Sequence, residues 1–464
     1  MENQKKKLNI AVFPWLAYGH MMPFFQVSKF LAQKGHQISF ISTPKNLNRL
    51  PKPPQNISHL LTFVELHLPQ IDGLPEGAES TSELPIPKVP FLKKAYNQLA
   101  PSLTQLLENS NFNWIVHDFL CPWVPRTATQ LGINSAFFYI STATTLAFFG
   151  PLSGLLNGYP GRPEDLTVVP KWIDFPCDVK FKLHEVVSHQ DCVDSDAPDF
   201  ERFAETVQSC QLVVIRTSPE FESNSLSLLR KLYGKPVLPV GFLPPSSQEN
   251  DPKSGDERWE KLKQWLDKEE ENSVVYIALG SEVTLSRDLM HELASGLEKS
   301  GLPFVWVLNN RPLVEEKLGE DIVPSGFETR VSGRGLVWRG WAPQLGILAH
   351  SAIGGFLTHC GWSSVIEALG FGKRLILLSG ANADLGLIAR LLHGKGVGLE
   401  IPRDDKTGSF TSESVSELIR RVMVDKEGES IGETVKSMKE IFGNVELNNE
   451  CLNELNRYLE NWPV

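Results

Sequence analysis

His20 and Asp118 have the side-chain types and the placement for proton transfer. His20 follows the apolar run Asn9–Phe13, and Asp118 follows Trp114–His117. If both runs are parallel strands, both residues reach the carboxyl edge of one sheet, where open α/β sheets bind their ligands. A neutral imidazole can take a hydroxyl proton near pH 7 when a carboxylate accepts from its other ring nitrogen and fixes the tautomer. His117, one residue earlier, is directed to the opposite face by the strand period. A histidine at a strand end is also a common structural residue, so position alone leaves both roles open.

A denser group of candidates runs from 341 to 384. It begins Trp341-Ala342-Pro343-Gln344, passes His350, and reaches Gly354-Gly355-Phe356-Leu357-Thr358-His359-Cys360-Gly361-Trp362-Ser363-Ser364-Val365-Ile366-Glu367. A strand ending near Thr358 turns through glycine and opens a helix near Ser364. Backbone donors at that helix start, with the Ser363 and Ser364 hydroxyls and His359 beside them, suit a diphosphate. Glu367, one turn in, can accept from ribose hydroxyls, and Trp341 offers a flat face to a base. Ser364-x-x-Glu367 also has the form of a capping box. A cap needs neither the upstream Trp-Ala-Pro-Gln nor the His-Cys-Gly-Trp, which favours the ligand role.

These residues require strands that end at a common edge, and the pattern supplies them. In the first half, β-branched runs at 9–13, 36–41, 114–117, 211–215 and 236–240 alternate with helical patterns at 22–33 and 218–232, with Arg216 just beyond the fourth run. The second half restarts with strands at 273–279, 304–308 and 335–338 and a helix at 287–299, then closes with helices at 413–425, 432–441 and 447–460. Such alternation specifies parallel sheets with crossover helices. The expected organisation is an N-terminal domain over 1–240, a polar linker over 241–258, a C-terminal domain over 259–440, and a terminal segment, 441–464, packing back on the first domain.

Composition narrows the function. With 45 basic and 55 acidic side chains and a net charge of -10, the 464-residue chain is not expected to grip nucleic acid or anionic lipid non-specifically. The six cysteines, at 121, 177, 192, 210, 360 and 451, form no Cys-x-x-Cys pair, so neither a zinc site nor a disulfide framework is written in the sequence, and a reducing, cytoplasmic setting is expected. Lys5 to Lys7 before Leu8–Leu16 imitate a secretory signal, but Pro14, Gly19 and His20 spoil it. The span between Arg126 and Arg162 lacks Asp, Glu, Lys and Arg, yet its polar residues and Gly150-Pro151 fit a buried strand followed by a pocket-lining loop or helix better than a membrane span. No Gly-x-Gly-x-x-Gly follows the first strand, which counts against an NAD-dependent oxidoreductase, and no Walker or Gly-x-Ser-x-Gly sequence occurs. The glycines at 394, 396 and 398 follow a helix and read as its C-terminal cap and turn. Asp194-Ser195-Asp196 reads as an exposed loop rather than a metal site. Among the aromatics Trp123, Phe137, Phe138, Phe148 and Phe149, most read as core, and only Trp123 is retained as a contact for a small apolar ligand.

The 341–384 stretch resembles the signature box of the plant family-one UDP-glycosyltransferases. The resemblance extends over the chain, through Gly19-His20, Asp118, Gly280-Ser281 and the C-terminal helices. Segments 13–17 and 73–81 are similar to the branch that extends existing glycosides, including rhamnosyl- and glucosyltransferases. The resemblance implies a GT-B architecture: two Rossmann-like domains with parallel sheets facing across a cleft, donor in the second, acceptor mainly in the first. It implies metal-independent inversion without a cofactor, with His20 as base and Asp118 as its orienting partner. Trp341 would stack on uracil, with Ala342 beside it; Gln344 and Glu367 would hold ribose; Ser281, His359, Ser363 and Ser364 would contact the diphosphate around Gly361; Trp362 and Asp384 would approach the sugar. Ser363 stands where many relatives have Asn. The box usually closes on Asp-Gln or Glu-Gln, whereas Asn382-Ala383-Asp384-Leu385 stands here. Counting from the left puts Ala383-Asp384 at those positions, and counting back from Ala389-Arg390-Leu391-Leu392 puts Asp384-Leu385 there. The second count is favoured, and it makes Leu385 replace a hydroxyl-binding glutamine. Lost polar contacts shift discrimination between hexoses, which makes UDP-rhamnose a candidate donor beside UDP-glucose. The expected activity is transfer to a small apolar acceptor, a flavonoid or terpenoid, or to its glycoside, by a monomer. A non-catalytic nucleotide-sugar-binding or glycoside-binding protein is the other alternative.

Overall fold

The computed structural model describes residues 6–190, 199–244, 256–280, 285–308, 322–380 and 384–463. Ser281, Asn382, Ala383, Asp194 to Asp196 and most of the expected linker lie outside them. The first sheet contains β1 (Asn9–Phe13), β2 (Gln37–Ser42), β3 (Leu61–Glu65), β4 (Trp114–His117), β5 (Asn134–Tyr139), β6 (Leu212–Ile215) and β7 (Val237–Pro239), in the order β3-β2-β1-β4-β5-β6-β7. The second contains β8 (Val274–Ala278), β9 (Phe304–Leu308), β10 (Gly335–Arg339), β11 (Ile353–Thr358), β12 (Arg374–Leu377) and β13 (Gly398–Glu400), in the order β10-β9-β8-β11-β12-β13. All pairings are parallel. Helices cover both faces of such sheets, so the central strands are continuous apolar runs; all five residues of β8 and all four of β4 are buried.

Each sheet reverses its strand order once, between β1 and β4 in the first and between β8 and β11 in the second. At such a point the two flanking connections leave in opposite directions and open a crevice at the carboxyl ends. The register brings those ends level, with Phe13 opposite His117 and Ala278 opposite Thr358.

The uncharged span after Arg126 forms β5 and the helices Ala143–Phe149 and Leu152–Leu156. No helix among the described residues is long and apolar enough to cross a membrane. The first helix starts at Tyr18 rather than at 22 and carries Pro23 inside it. The Gly19-His20 pair therefore belongs to the first helical turn.

A returning helix and an aromatic cluster are among the features that join the halves of the chain. Helix Val445–Asn461 returns to the first sheet: Leu452, Leu455 and Leu459 pack into the core around β1 and β4, and Asn456 Oδ1 lies 2.7 Å from His36 Nε2. Between the sheets, Phe221 and Phe242 of the first half enclose Trp362 and Phe442 of the second, with Phe242 and Phe442 stacked at 3.9 Å. Burying rings of this size contributes on the order of 2 kcal/mol each.

Candidate active site

His20 reaches the carboxyl edge of the first sheet from the first turn of helix Tyr18–Gln33, whose chain arrives through the turn after β1. Tyr96 braces that turn, its hydroxyl donating to Pro14 O at 3.1 Å and its ring stacked on Phe13 at 4.9 Å. His20 Nδ1 is 2.7 Å from Asp118 Oδ2, with side-chain exposures of 22% and 2%. The carboxylate is fixed from two more sides: Trp15 N donates to Oδ2 at 3.1 Å and Phe119 N to Oδ1 at 2.8 Å. A carboxylate that takes backbone N–H bonds on both oxygens can only accept, so the proton between the two residues sits on Nδ1 and Nε2 carries the ring's lone pair. This is the tautomer a general base needs. His117 points into the core beside Phe137, with Nδ1 3.0 Å from Asp118 O, and burial pushes it down to about 4.

In the second sheet, Gly280 follows β8 with φ +75° and faces the turn after β11. The His359 ring lies between Gly280 and Gly361: a Cβ at either would come within 2.5 or 2.4 Å of it. Burial lowers His359 to about 4, and its buried Nδ1 has no partner among the described residues. A neutral imidazole with an unused buried nitrogen points to a ligand at this turn. Cys360 holds φ +72°, and helix Trp362–Gly370 opens at Gly361 with no side chain capping it. The Ser364–Glu367 capping box does not form, because the helix starts two residues before Ser364. Instead Gln344 Nε2 donates to Glu367 Oε2 at 2.7 Å and to Ser364 Oγ at 3.2 Å, and Tyr276 donates to Gln344 Oε1 at 3.3 Å. Burial raises the Glu367 carboxyl above its ordinary range. Trp341 is 74% exposed while Ala342 beside it is buried; the Trp341 carbonyl accepts from Trp338 Nε1 at 2.8 Å.

The structure thus brings Gln344, His359, Gly361, Ser363, Ser364 and Glu367 together about the ends of β8 and β11, while Trp341 and Ala342 lie in the segment that leads from β10 to Gln344. Four further expected contacts are placed as follows. The side chain of Trp362 is buried in the aromatic cluster between the sheets, its indole N–H donating to Arg216 O at 2.8 Å, so it is not aimed at a sugar. Asp384 is tied to the first half of the chain: Oδ2 accepts from Tyr139 at 3.2 Å and from the Ser141 hydroxyl. Leu385 begins helix Leu385–Gly394 and is half-buried. Trp123 packs edge-on to Phe13 and its indole donates to Asn97 Oδ1 at 3.3 Å, which makes it part of the wall behind β1. Arg216, Tyr139 and Ser141 were not expected in the site. A cation directly after an all-apolar strand was the only trace of Arg216.

The chain is similar over its length to solved plant glycosyltransferases of GT-B architecture. One is a Glycyrrhiza uralensis enzyme, UGT73P12, in complex with glycyrrhetinic acid 3-O-monoglucuronide: TM-score 0.77, 21% identity, covering 98% of this chain and 96% of that one. The family model described as UDP-glucoronosyl and UDP-glucosyl transferase matches residues 100–427. UDP-glycosyltransferase 91C1 of Arabidopsis thaliana is 46% identical over 462 residues, covering 99% of this chain and 98% of that one. Soyasaponin III rhamnosyltransferase of Glycine max is 40% identical over 468 residues, covering 100% and 98%. The chain belongs to the plant UDP-glycosyltransferases, in the group that includes these relatives. An NAD-dependent oxidoreductase and a non-catalytic binder are both set aside by that membership.

Proposed function

We propose that this enzyme transfers rhamnose or glucose from its UDP conjugate, with inversion and without a metal, to a hydroxyl of a small apolar plant metabolite or its glycoside. Nε2 of His20 takes the acceptor hydroxyl proton, Asp118 holds the imidazolium that forms, and the acceptor oxygen bonds to the anomeric carbon. The bond from that carbon to the diphosphate oxygen breaks, and UDP leaves with the electron pair. His359, the Ser363 and Ser364 hydroxyls and the backbone N–H groups at the start of helix Trp362–Gly370 stabilise the developing charge. Trp341 stacks on uracil, Gln344 and Glu367 hold ribose, and Asp384 approaches the sugar.

The observation that carries this proposal is the 2.7 Å contact between His20 Nδ1 and an Asp118 carboxylate already fixed by two backbone donors. Support for a glycoside acceptor and for rhamnose comes from the soyasaponin rhamnosyltransferase relative and from Leu385, an apolar side chain where a hydroxyl-binding amide is usual in the family. The test is a panel of UDP-rhamnose, UDP-glucose, UDP-galactose and UDP-xylose against free and glucosylated flavonoids and terpenoids, with products identified by mass spectrometry and anomeric configuration by NMR. His20→Ala is expected to abolish transfer to hydroxyls while UDP affinity stays within about twofold, since the two groups serve different steps. Unchanged turnover in that variant would refute the base assignment.

A further inference from the structure

Arg216 directly follows β6 in the first half of the chain and is 3% exposed. Its guanidinium spans the junction of the two halves: Nε donates to Phe242 O at 2.7 Å, NH2 to Leu243 O at 3.2 Å, and NH1 crosses to Ser363 Oγ at 2.7 Å. Its own carbonyl accepts from Trp362 Nε1 at 2.8 Å. Every acceptor it holds is neutral. Among the described residues no carboxylate lies within ion-pair distance of it, whereas the other strongly buried arginine at the interface, Arg390, contacts Glu185 at 2.5 Å. The buried Glu367 carboxylate acts on Arg216 only from beyond ion-pair distance, and a buried cation with no anion in contact is costly unless one arrives. Arg216 reaches, through Ser363, the turn where His359 keeps a buried nitrogen with no partner among the described residues.

The contact with Ser363 also has a direction. A guanidinium only donates, so Ser363 Oγ accepts from Arg216 and its own proton must point elsewhere. Oγ stands at the opening of helix Trp362–Gly370, whose backbone N–H groups face the same space. We propose that Arg216 is a positioning residue for the donor diphosphate: it aims the Ser363 hydroxyl at a phosphoryl oxygen and supplies, from the acceptor half of the molecule, the positive charge that the turn after β11 lacks. This rests on reading that turn as the diphosphate site. It also means that the diphosphate subsite is complete only while the two halves are docked.

The test is a double-mutant cycle on Arg216→Met and Ser363→Ala, with UDP affinity measured by calorimetry and uridine affinity by ligand-observed NMR. R216M is expected to lose tenfold or more in UDP affinity with uridine affinity within twofold of wild type. S363A is expected to lose less, and R216M/S363A to be no worse than R216M, because the hydroxyl is aimed only while the arginine is present. The proposal is overturned if UDP and uridine affinities fall together in an R216M variant that melts like wild type, or if the two single effects multiply in the double variant. Should R216M fail to fold, R216K and S363A form the same cycle with the same two criteria. Equal affinity of the wild-type protein for UDP and uridine would instead remove the diphosphate reading of the turn, a failure distinct from that of Arg216.

Discussion

Asp118 illustrates how a short list of contacts sets a chemical role. Replacing it with Asn keeps the shape and the Phe119 contact but turns an obligate acceptor into a group that can donate to Nδ1, stabilising the wrong tautomer of His20. Asp118→Asn is expected to lower kcat by about 10²–10⁴-fold with little change in KM for the UDP-sugar, read from steady-state kinetics. His117 and His359 make a different prediction. Both are pushed by burial to about 4, below the ordinary histidine value of 6.5. Below pH 6.5 the unfolded chain binds protons that the folded one refuses, so their contribution is fully present above that pH and is lost as pH falls toward 4. Melting temperature is expected to decline across that window, and His117→Phe to flatten the decline. The box from Trp341 to Glu367 was legible because its members are close in sequence and most emerge at one pair of strand ends. Arg216 with Ser363, and Asp384 with Tyr139, are 147 and 245 residues apart and meet only through packing between the sheets, which no local pattern encodes.

The strands that sequence reading located best are those buried on both faces. β4 and β9 fall on their expected bounds because β-branched and aromatic runs flanked by polar residues leave one solution. β3, β12 and β13 were not read. β3 is the outer strand of its sheet with part-exposed residues, and β12 and β13 are only four and three residues long, the last starting at a glycine already read as part of a turn. The turns at the strand ends matter more for function than strand length. Gly280 combines a left-handed φ of +75° with the His359 ring where a Cβ would sit. Gly280→Ala is expected to cost about 1–3 kcal/mol in stability and to weaken UDP binding more than tenfold by displacing the imidazole, measured by thermal unfolding and calorimetry.

The two sheets are held together by more than the aromatic cluster. Helix Leu183–Gln190 brings Glu185 against Arg390 at 2.5 Å and Ser379 Oγ at 2.9 Å, while Lys182 reaches Glu400 at 2.9 Å. Burial alone would raise the Glu185 carboxyl, but the Arg390 guanidinium holds it below its ordinary range. Removing one partner strands the other charge in a site 10% exposed or less. Glu185→Ala is therefore expected to destabilise by about 3–5 kcal/mol, and Glu185→Ala with Arg390→Met by clearly less, as denaturant unfolding would report. Equal losses would mean the pair is not desolvated. The helix Val445–Asn461 has a consequence for how the chain is made. The hydrophobic face it covers, around His36 and Trp114, belongs to segments that leave the ribosome hundreds of residues earlier. During synthesis that face stays uncovered until the strands of the second sheet and then this helix have emerged, so the first half cannot finish folding while the second is still being made, and chaperone demand should last through that interval.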